Sequence, residues 1–293
     1  MSVEGVLNVD KPHGLTSHDV VNQVRRISGI RRIGHAGTLD PLATGVLLLC
    51  LGRTTRLVEY LVGQPKTYEA VIRLGQTTNT YDAEGQVMVD QPVAVSIDGI
   101  RAALPHFRGV IQQRPPLYSA IKQGGRPLYK LARQGIEVEI PLRTVTIYEL
   151  QLLSWATPLL TIRVVCSAGT YIRSLAHDLG QVLGCGGHIA ALRRTAVGVF
   201  KVETAVPLTG LKTENLFDFL QPSEVAVQHL PRLDLSAVDA ATLQQGRQVA
   251  RQVDQPQAEL VRAYDLSGHF IGVVVANGPH WRARKMFPPF ASE

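Results

Sequence analysis

The sequence predicts an α+β fold, a sheet flanked by helices, with a small β-rich module at the C-terminal end. Three observations predict it. Residues 67–74 and 159–166 alternate apolar and polar side chains with period two, the pattern of half-buried strands. Residues 18–28 and 171–183 instead space their apolar side chains three and four apart, as amphipathic helices do. Late in the chain, Ser267-Gly268 and Asn277-Gly278 separate short apolar runs, as hairpin turns do.

Taken in order, Gly5-Val6-Leu7-Asn8-Val9 reads as a short strand, ended by Asp10-Lys11-Pro12-His13-Gly14. Ser17 is placed to cap a helix whose buried face is Val20, Val21, Val24 and Ile27, with Gly29 as its stop. Val46-Leu47-Leu48-Leu49-Cys50-Leu51 is a buried strand. In 67–74, Tyr68, Ala70, Ile72 and Leu74 share one face. Ser96 opens a short helix through Leu104. Strands follow at 143–153 and 159–166, the second burying Leu160, Ile162, Val164 and Cys166. Thr170 is placed to cap a helix with Ile172, Leu175, Ala176, Leu179, Val182 and Leu183 on its core face, ended by Gly184. The pattern breaks between Pro222 and Pro231, and strands near 259–264, 270–275 and 281–287 follow. Two domains are expected: 1–230, and an accessory module over 231–293.

At 45% hydrophobic and 18% charged residues, the 293-residue chain is expected to fold rather than stay disordered. No apolar stretch approaches the ~20 residues of a membrane span, and Met1-Ser2-Val3-Glu4 lacks signal-peptide character. Cys50, Cys166 and Cys185 form no C-x-x-C pair, which points to a reducing compartment and a cytoplasmic location. A net charge of +6 suits an anionic partner such as nucleic acid.

The densest chemical signal is Gly34-His35-Ala36-Gly37-Thr38-Leu39-Asp40-Pro41-Leu42-Ala43-Thr44-Gly45. Pro41 biases Asp40 toward an extended backbone, and Gly37 and Gly45 permit tight turns or close backbone approach. Arg25, Arg26, Arg31, Arg32 and His35 lie just upstream. A lone carboxylate in a stiff loop beside cations suits an acid aimed at a polyanion. An ordinary Asp-Pro turn also fits these residues. Arg173 sits in the first turn of its helix, where the helix dipole favours anions. It therefore needs a carboxylate or phosphate partner, with Asp178 the ordinary structural candidate. Residues 108–140 carry Arg108, Arg114, Lys122, Arg126, Lys130 and Arg133 with Tyr118 and Tyr129 between them. That mixture suits an RNA-contacting insertion and equally an ordinary surface hairpin and helix. Cys185 and His188 have ligand-like spacing, but no second pair completes a zinc set. The glycine-rich stretch there lacks the lysine–hydroxyl pair of a phosphate loop, and no dinucleotide fingerprint occurs.

Three blocks, residues 5–17, 34–47 and Gly169-Thr170-Tyr171-Ile172-Arg173-Ser174-Leu175, resemble the bacterial tRNA pseudouridine synthase B family. Lys66-Thr67-Tyr68-Glu69-Ala70, Arg73-Leu74-Gly75, Asp82-Ala83-Glu84-Gly85, Pro116-Leu117-Tyr118-Ser119-Ala120 and Leu192-Arg193-Arg194 extend the resemblance in the same order. It spans residues 5 to about 205, and the C-terminal stretch is a weaker match, similar to PUA-like modules. The resemblance implies the pseudouridine synthase fold, with a mostly antiparallel mixed sheet, and conversion of uridine 55 in the tRNA T loop to pseudouridine. It implies that Asp40 is the nucleophile and that Tyr68 stacks on the base, with a part in removing the C5 proton. It further implies that Arg173 pairs with Asp40 and holds it ionised. His35 would steady the flipped loop bases, Lys11 would support the active-site loop, and Tyr171 and Leu192 would line the pocket. Arg126 and Lys130 belong to the insertion that grips the T arm. Such an isomerisation needs no cofactor and no metal, and the family suggests a monomer. Two other functions remain open: a pseudouridine synthase acting on another RNA, and an RNA-binding or tRNA-folding protein. A phosphoryl-transfer enzyme is poorly supported, because no second acid stands two residues after Asp40 and no magnesium-binding carboxylate cluster is visible.

Overall fold

A computed structural model describes residues 3–119, 122–123, 126–127 and 139–287. Its centre is a mixed sheet running, in spatial order, through Val206–Pro207, β1 (Gly5–Lys11), β3 (Thr44–Leu51), Gly187–Val197, β4 (Lys66–Leu74), Leu159–Cys166, Arg143–Ala156 and Gly109–Gln113. β2 (Ile33–His35) adds to β3 off this path. Among the described strands, Val206–Pro207 against β1 and Gly187–Val197 against β3 pair in parallel, and the other pairings in this sheet are antiparallel. β4 alternates as its sequence predicts, with Tyr68, Ala70, Ile72 and Leu74 buried and Glu69 and Arg73 exposed. β3 is different: Gly45 through Leu51 are all buried, because helices and the C-terminal module cover both of its faces.

Helix α1 (Ser17–Ser28) buries Val20, Val21 and Val24, and Gly29 ends it in the left-handed conformation. Its cap is Thr16 rather than Ser17. The Thr16 hydroxyl accepts from Asp19 N, and the Asp19 carboxylate accepts from Thr16 N, so the two form a capping box. Ser17 is buried at the first helical position, where its hydroxyl donates to Leu39 O in the loop after β2. Likewise Tyr171, not Thr170, is the cap position of the Ile172–Val182 helix, with no side-chain cap bond. The Thr170 hydroxyl donates back to Ser167 O instead. That helix buries Ile172, Leu175, Ala176 and Leu179 as expected, and Leu183 packs beside them, but Val182 is exposed because it lies off the edge of that face.

A second, five-stranded sheet runs in the order Arg232–Asp234, Leu260–Tyr264, Phe270–Asn277, His280–Met286, Val249–Ala250. It has its own core, built around Leu233, Leu243, Val261 and the fully buried Trp281. It also docks on the first sheet. Val273 and Phe287 share an apolar cluster with Val6, Val46, Leu48 and Leu61, and Lys285 Nζ meets Glu59 Oε1 at 2.9 Å. No helix among the described residues is long and apolar enough to cross a membrane.

Candidate active site

The loop between β2 and β3 carries Asp40 and is fastened from below. The Ser17 hydroxyl accepts from Leu39 N at 2.8 Å and donates to Leu39 O at 3.1 Å. Gly14 N donates to Pro41 O at 2.9 Å, and Lys11 Nζ reaches the same carbonyl at 3.2 Å. Lys11 is fully buried, and Pro12 O and Leu15 O also accept from it. Burial pushes its ammonium down to about 8, against the pull of Asp40. Lys11 thus sits beneath the loop as a brace, outside the residues that line the cleft.

Gly45 marks where the loop enters the sheet. Its φ is +98°, and a Cβ there would lie 2.2 Å from the carbonyl oxygen of Arg194. Only glycine permits both the left-handed backbone and that approach. The approach is the parallel contact of β3 with Gly187–Val197, where Gly45 stands opposite Arg194. The Arg194 side chain, 1% exposed, then turns back along the loop. Its Nε donates to Val46 O at 2.7 Å and its Nη2 to Gly37 O at 3.1 Å. On the adjoining strand, Tyr68 stands opposite Arg194 and hydrogen-bonds its side chain. Burial pushes the Tyr68 phenol up, with Arg194 opposing, so the ring stays neutral near neutral pH.

Arg173 closes the site from the other side. Its Nε lies 3.0 Å from Asp40 Oδ2, within ion-pair distance but without hydrogen-bond alignment. Its Nη1 donates to Asp82 Oδ2 and to Thr80 O, both at 3.1 Å, and its Nη2 to Tyr118 O at 2.9 Å. The carboxylates that meet Arg173 are therefore Asp40 and Asp82, not Asp178. The Asp40 side chain is 39% exposed yet ringed by the walls of the cleft. Desolvation is the largest influence on its acidity and raises its pKa above the usual carboxylate value, and Asp82 adds to that. Arg173 and Lys11 pull the other way without prevailing. The Arg173 guanidinium favours the ionised carboxylate, although the net direction is upward. A guanidinium shared with Asp82 and two carbonyls does not offset the loss of water around Asp40.

Above this floor opens a cavity of about 260 Å³ lined by Asp40, Tyr68, Tyr171, Arg173, Leu192 and Arg194, among others. That is below the roughly 300–1,000 Å³ of drug-sized sites, and it suits one nucleobase rather than a dinucleotide. Tyr171 is held by Gln113, whose Oε1 accepts from Tyr171 N at 2.7 Å and whose Nε2 donates to Tyr171 O at 2.9 Å. Lys66 also lines the cavity, and burial pushes it down to about 8. Lys66, Arg173 and Arg194 are thus buried cations that line the cavity together with Asp40, an arrangement suited to an anionic ligand. Burial drives the Cys50 thiol to about 12 and Cys166 to about 11, which leaves them poor nucleophiles.

His35 is half-buried on β2 and does not line the cavity. Its pKa is pushed down by burial and then by Arg194 and His18, which favours the neutral imidazole. Of the upstream arginines, Arg25 is spent on structure, donating to Asn22 Oδ1 and Ile33 O, whereas Arg26, Arg31 and Arg32 are exposed. Arg126 falls on a two-residue strand, Arg126–Pro127, paired with Lys122–Gln123. Lys130 lies outside the described residues, as do Tyr129 and Arg133.

Asp82, Lys66 and Arg194 stand in matched blocks of sequence, but no role was read for them there. A signal was present: Lys66 shares the inward parity of Tyr68 and Ala70, and Arg194 that of Leu192. A charged residue on the inward face of a strand needs a buried partner.

Comparison with known proteins agrees with this geometry. Residues 25–172 match the TruB family pseudouridylate synthase N-terminal domain, 173–228 the tRNA pseudouridylate synthase B C-terminal domain, and 231–279 the pseudouridine synthase II TruB C-terminal domain. The chain is 46% identical to the tRNA pseudouridine synthase B of Pseudomonas aeruginosa (strain UCBPP-PA14), covering 93% of this chain and 91% of that protein. It is 48% identical to the enzyme of the same name from Aromatoleum aromaticum, covering 94% and 90%. Among solved structures, a chain of an H/ACA RNP bound to a substrate RNA containing 2′-deoxyuridine superposes with a TM-score of 0.75 at 29% identity, covering 98% of this chain and 86% of that one. With the catalytic fold, the matched domains and this identity along nearly its whole length, the chain belongs to the TruB family of pseudouridylate synthases.

Proposed function

We propose that this enzyme isomerises uridine 55 in the T loop of tRNA to pseudouridine, with Asp40 as its nucleophile. The observation that carries the reading is Asp40 in the lining of the cavity, its Oδ2 3.0 Å from an Arg173 Nε that makes no hydrogen bond among the described residues. The named relatives act on tRNA, which supports tRNA as the substrate here.

The target base must leave its stack to reach a site this deep, at a cost of a few kcal/mol. Asp40 forms a covalent bond with the nucleotide, at C1′ of the ribose or C6 of the base, dividing one hard step into easier ones. The bond from C1′ to N1 breaks, the uracil turns, and C5 bonds to C1′. C5 gives up its proton, the freed N1 takes one up, and the bond to Asp40 breaks to restore the carboxylate, so the product is an isomer of the starting nucleotide. Tyr68 offers a neutral ring to the base, and Tyr171 and Leu192 flank it. Arg173 keeps Asp40 in place, and Lys11 braces its loop. The basic segment containing Arg126 and Lys130 and the C-terminal module grip the RNA, with 1–230 as the catalytic domain and 231–293 as the accessory one. The enzyme works as a cytoplasmic monomer.

A second reading, action on another RNA, draws on the likeness to the chain in the H/ACA RNP. One experiment separates the two. Unmodified tRNA transcript, a T-arm stem-loop and ribosomal RNA fragments are each incubated with the enzyme, and pseudouridine is mapped. Modification at position 55 of tRNA and in the isolated T arm is expected. Modification confined to the ribosomal fragments would overturn the proposal.

A further inference from the structure

Arg173 touches the loop over residues 79–85 through Asp82 and Thr80, and the same loop meets the same helix once more. The rings of Tyr81 and His177 stack 3.9 Å apart, at an interplanar angle of 12°. His177 lies four residues beyond Arg173, on the same face of the Ile172–Val182 helix and one turn along it. Tyr81 directly precedes Asp82, and it is the described non-glycine residue with a left-handed backbone, at φ 63°. Such a conformation persists in a bulky residue when its surroundings over-determine it. Here Tyr81 O accepts from Ile189 N at 3.0 Å, Ala83 N donates to Ile189 O at 2.9 Å, and the ring is held by His177.

We propose that the Tyr81–His177 stack is a positioning clamp for the Asp82–Arg173–Asp40 array, and that the rate of the chemical step depends on it. Nη1 holds to the 79–85 loop through Asp82 and Thr80 and Nη2 to Tyr118 O, so the guanidinium turns with that loop wherever the loop is free to shift along the helix. A second contact one helical turn away, about 5.4 Å along the axis, removes that freedom. Asp40 depends on it because Arg173 Nε reaches its carboxylate without an aligned hydrogen bond. Neither ring lines the cavity, so both act through Arg173 rather than on substrate. The inference rests on the reading of Asp40 as nucleophile.

The test compares Tyr81→Ser, Tyr81→Gly, Tyr81→Phe, His177→Ser, His177→Phe and the double serine variant of the full chain. kcat, KM and the Kd for tRNA transcript are measured. Removing either ring is expected to lower kcat by roughly ten- to a hundredfold, the scale of a catalytic group misplaced by about 1 Å. KM and Kd stay within about twofold. Tyr81→Gly relieves the left-handed strain, so the folded protein persists and its loss of kcat reports the ring alone. The phenylalanine variants keep a stacked ring and stay near the parent rate. The double variant is no slower than the slower single one, since both remove one contact. Full kcat in Tyr81→Gly, a Tyr81→Phe as slow as Tyr81→Ser, or multiplying losses in the double variant would overturn the clamp. Hydrogen exchange at Arg173 Nε–H provides an arm independent of turnover. It should quicken in Tyr81→Gly, and an unchanged exchange rate would count against the clamp even if the parent enzyme modified no uridine, a result that would instead overturn the functional reading.

Discussion

Arg173 Nε stands 3.0 Å from Asp40 Oδ2 without hydrogen-bond alignment, while Nη1 of the same guanidinium is hydrogen-bonded to Asp82 Oδ2 at 3.1 Å. The two carboxylates share one cation unequally. Asp82, 4% exposed and also accepting from the Thr80 hydroxyl and Glu84 N, is a fully engaged anchor. Asp40 is held at ion-pair distance without an aligned hydrogen bond from Arg173 Nε.

That inequality makes Asp40→Asn the sharpest test of the nucleophile. The amide keeps the shape of the side chain and cannot form the adduct. Pseudouridine formation should vanish while tRNA affinity stays within about tenfold, because the lost interaction belongs to the chemical step. Turnover beyond contamination, in a single-turnover assay with excess enzyme, would remove Asp40 from the mechanism.

The same substitution should stabilise the fold. Burial raises the pKa of Asp40 above its unfolded value. The folded state therefore binds more protons than the unfolded state between the two pKa values, and stability falls as pH rises through that window. At neutral pH the partly desolvated charge is a cost that asparagine lacks, reduced by the water that still reaches a side chain 39% exposed. Tm of Asp40→Asn should exceed that of the parent at pH 7 by about 2–4 °C per kcal/mol released. The difference should shrink as pH falls through the raised pKa and be gone below the ordinary carboxylate value of 3.8. The acid limb of kcat should likewise lie above the ordinary aspartate range. An equal or lower Tm at pH 7 would show that the ion pair, not desolvation, dominates.

Gly45→Ala should be among the most damaging small substitutions. It forces a side chain into φ +98° and to 2.2 Å from the Arg194 carbonyl oxygen, which is backbone and cannot step aside. A loss of at least about 2 kcal/mol is expected in urea unfolding, in line with strain at a special backbone position. Activity should fall with it, since Arg194 spans Gly37, Val46 and Tyr68. A neutral effect would place the strand junction elsewhere.

Joint removal of Arg126, Lys130 and Arg133 tests the basic segment as an RNA grip. Each lost phosphate contact should reduce the slope of log K against log salt by about 0.7–0.9. Three lost contacts therefore flatten it by roughly 2–3. Binding titrations between low and moderate salt read this directly, and an unchanged slope would assign the grip to other residues.

Much of this protein was legible in its sequence, for reasons that differ by element. β4 announced itself because one of its faces is more open than the other, so Tyr68 and Arg73 had to alternate. β3 was visible only as an apolar run, since it is covered on both faces and its residues carry no parity. Ser96 caps its helix as expected, whereas the cap of α1 slipped by one residue because Thr16 and Ser17 are chemically alike and the capping box through Asp19 decides between them. In the site, Asp40 was evident from its loop. Asp82 was not, because its role exists only where residues 82 and 173 meet, and no local pattern encodes a partner 91 positions away.

The neighbours of β1 have a consequence for biosynthesis. Its inner partner, β3, emerges soon after it, with Leu7 opposite Leu49. Its outer partners come roughly 200 residues later, with Val9 beside Val206 and Leu7 beside Leu220. At about 5–20 residues per second the nascent chain spends on the order of 10–40 s with that edge of β1 unpaired. An open edge invites pairing with the wrong chain. The ribosome must therefore release nearly the whole catalytic domain before its first strand is shielded on both sides, and a chain that stalls short of Leu220 leaves the β1 edge open beside an already assembled Asp40 loop.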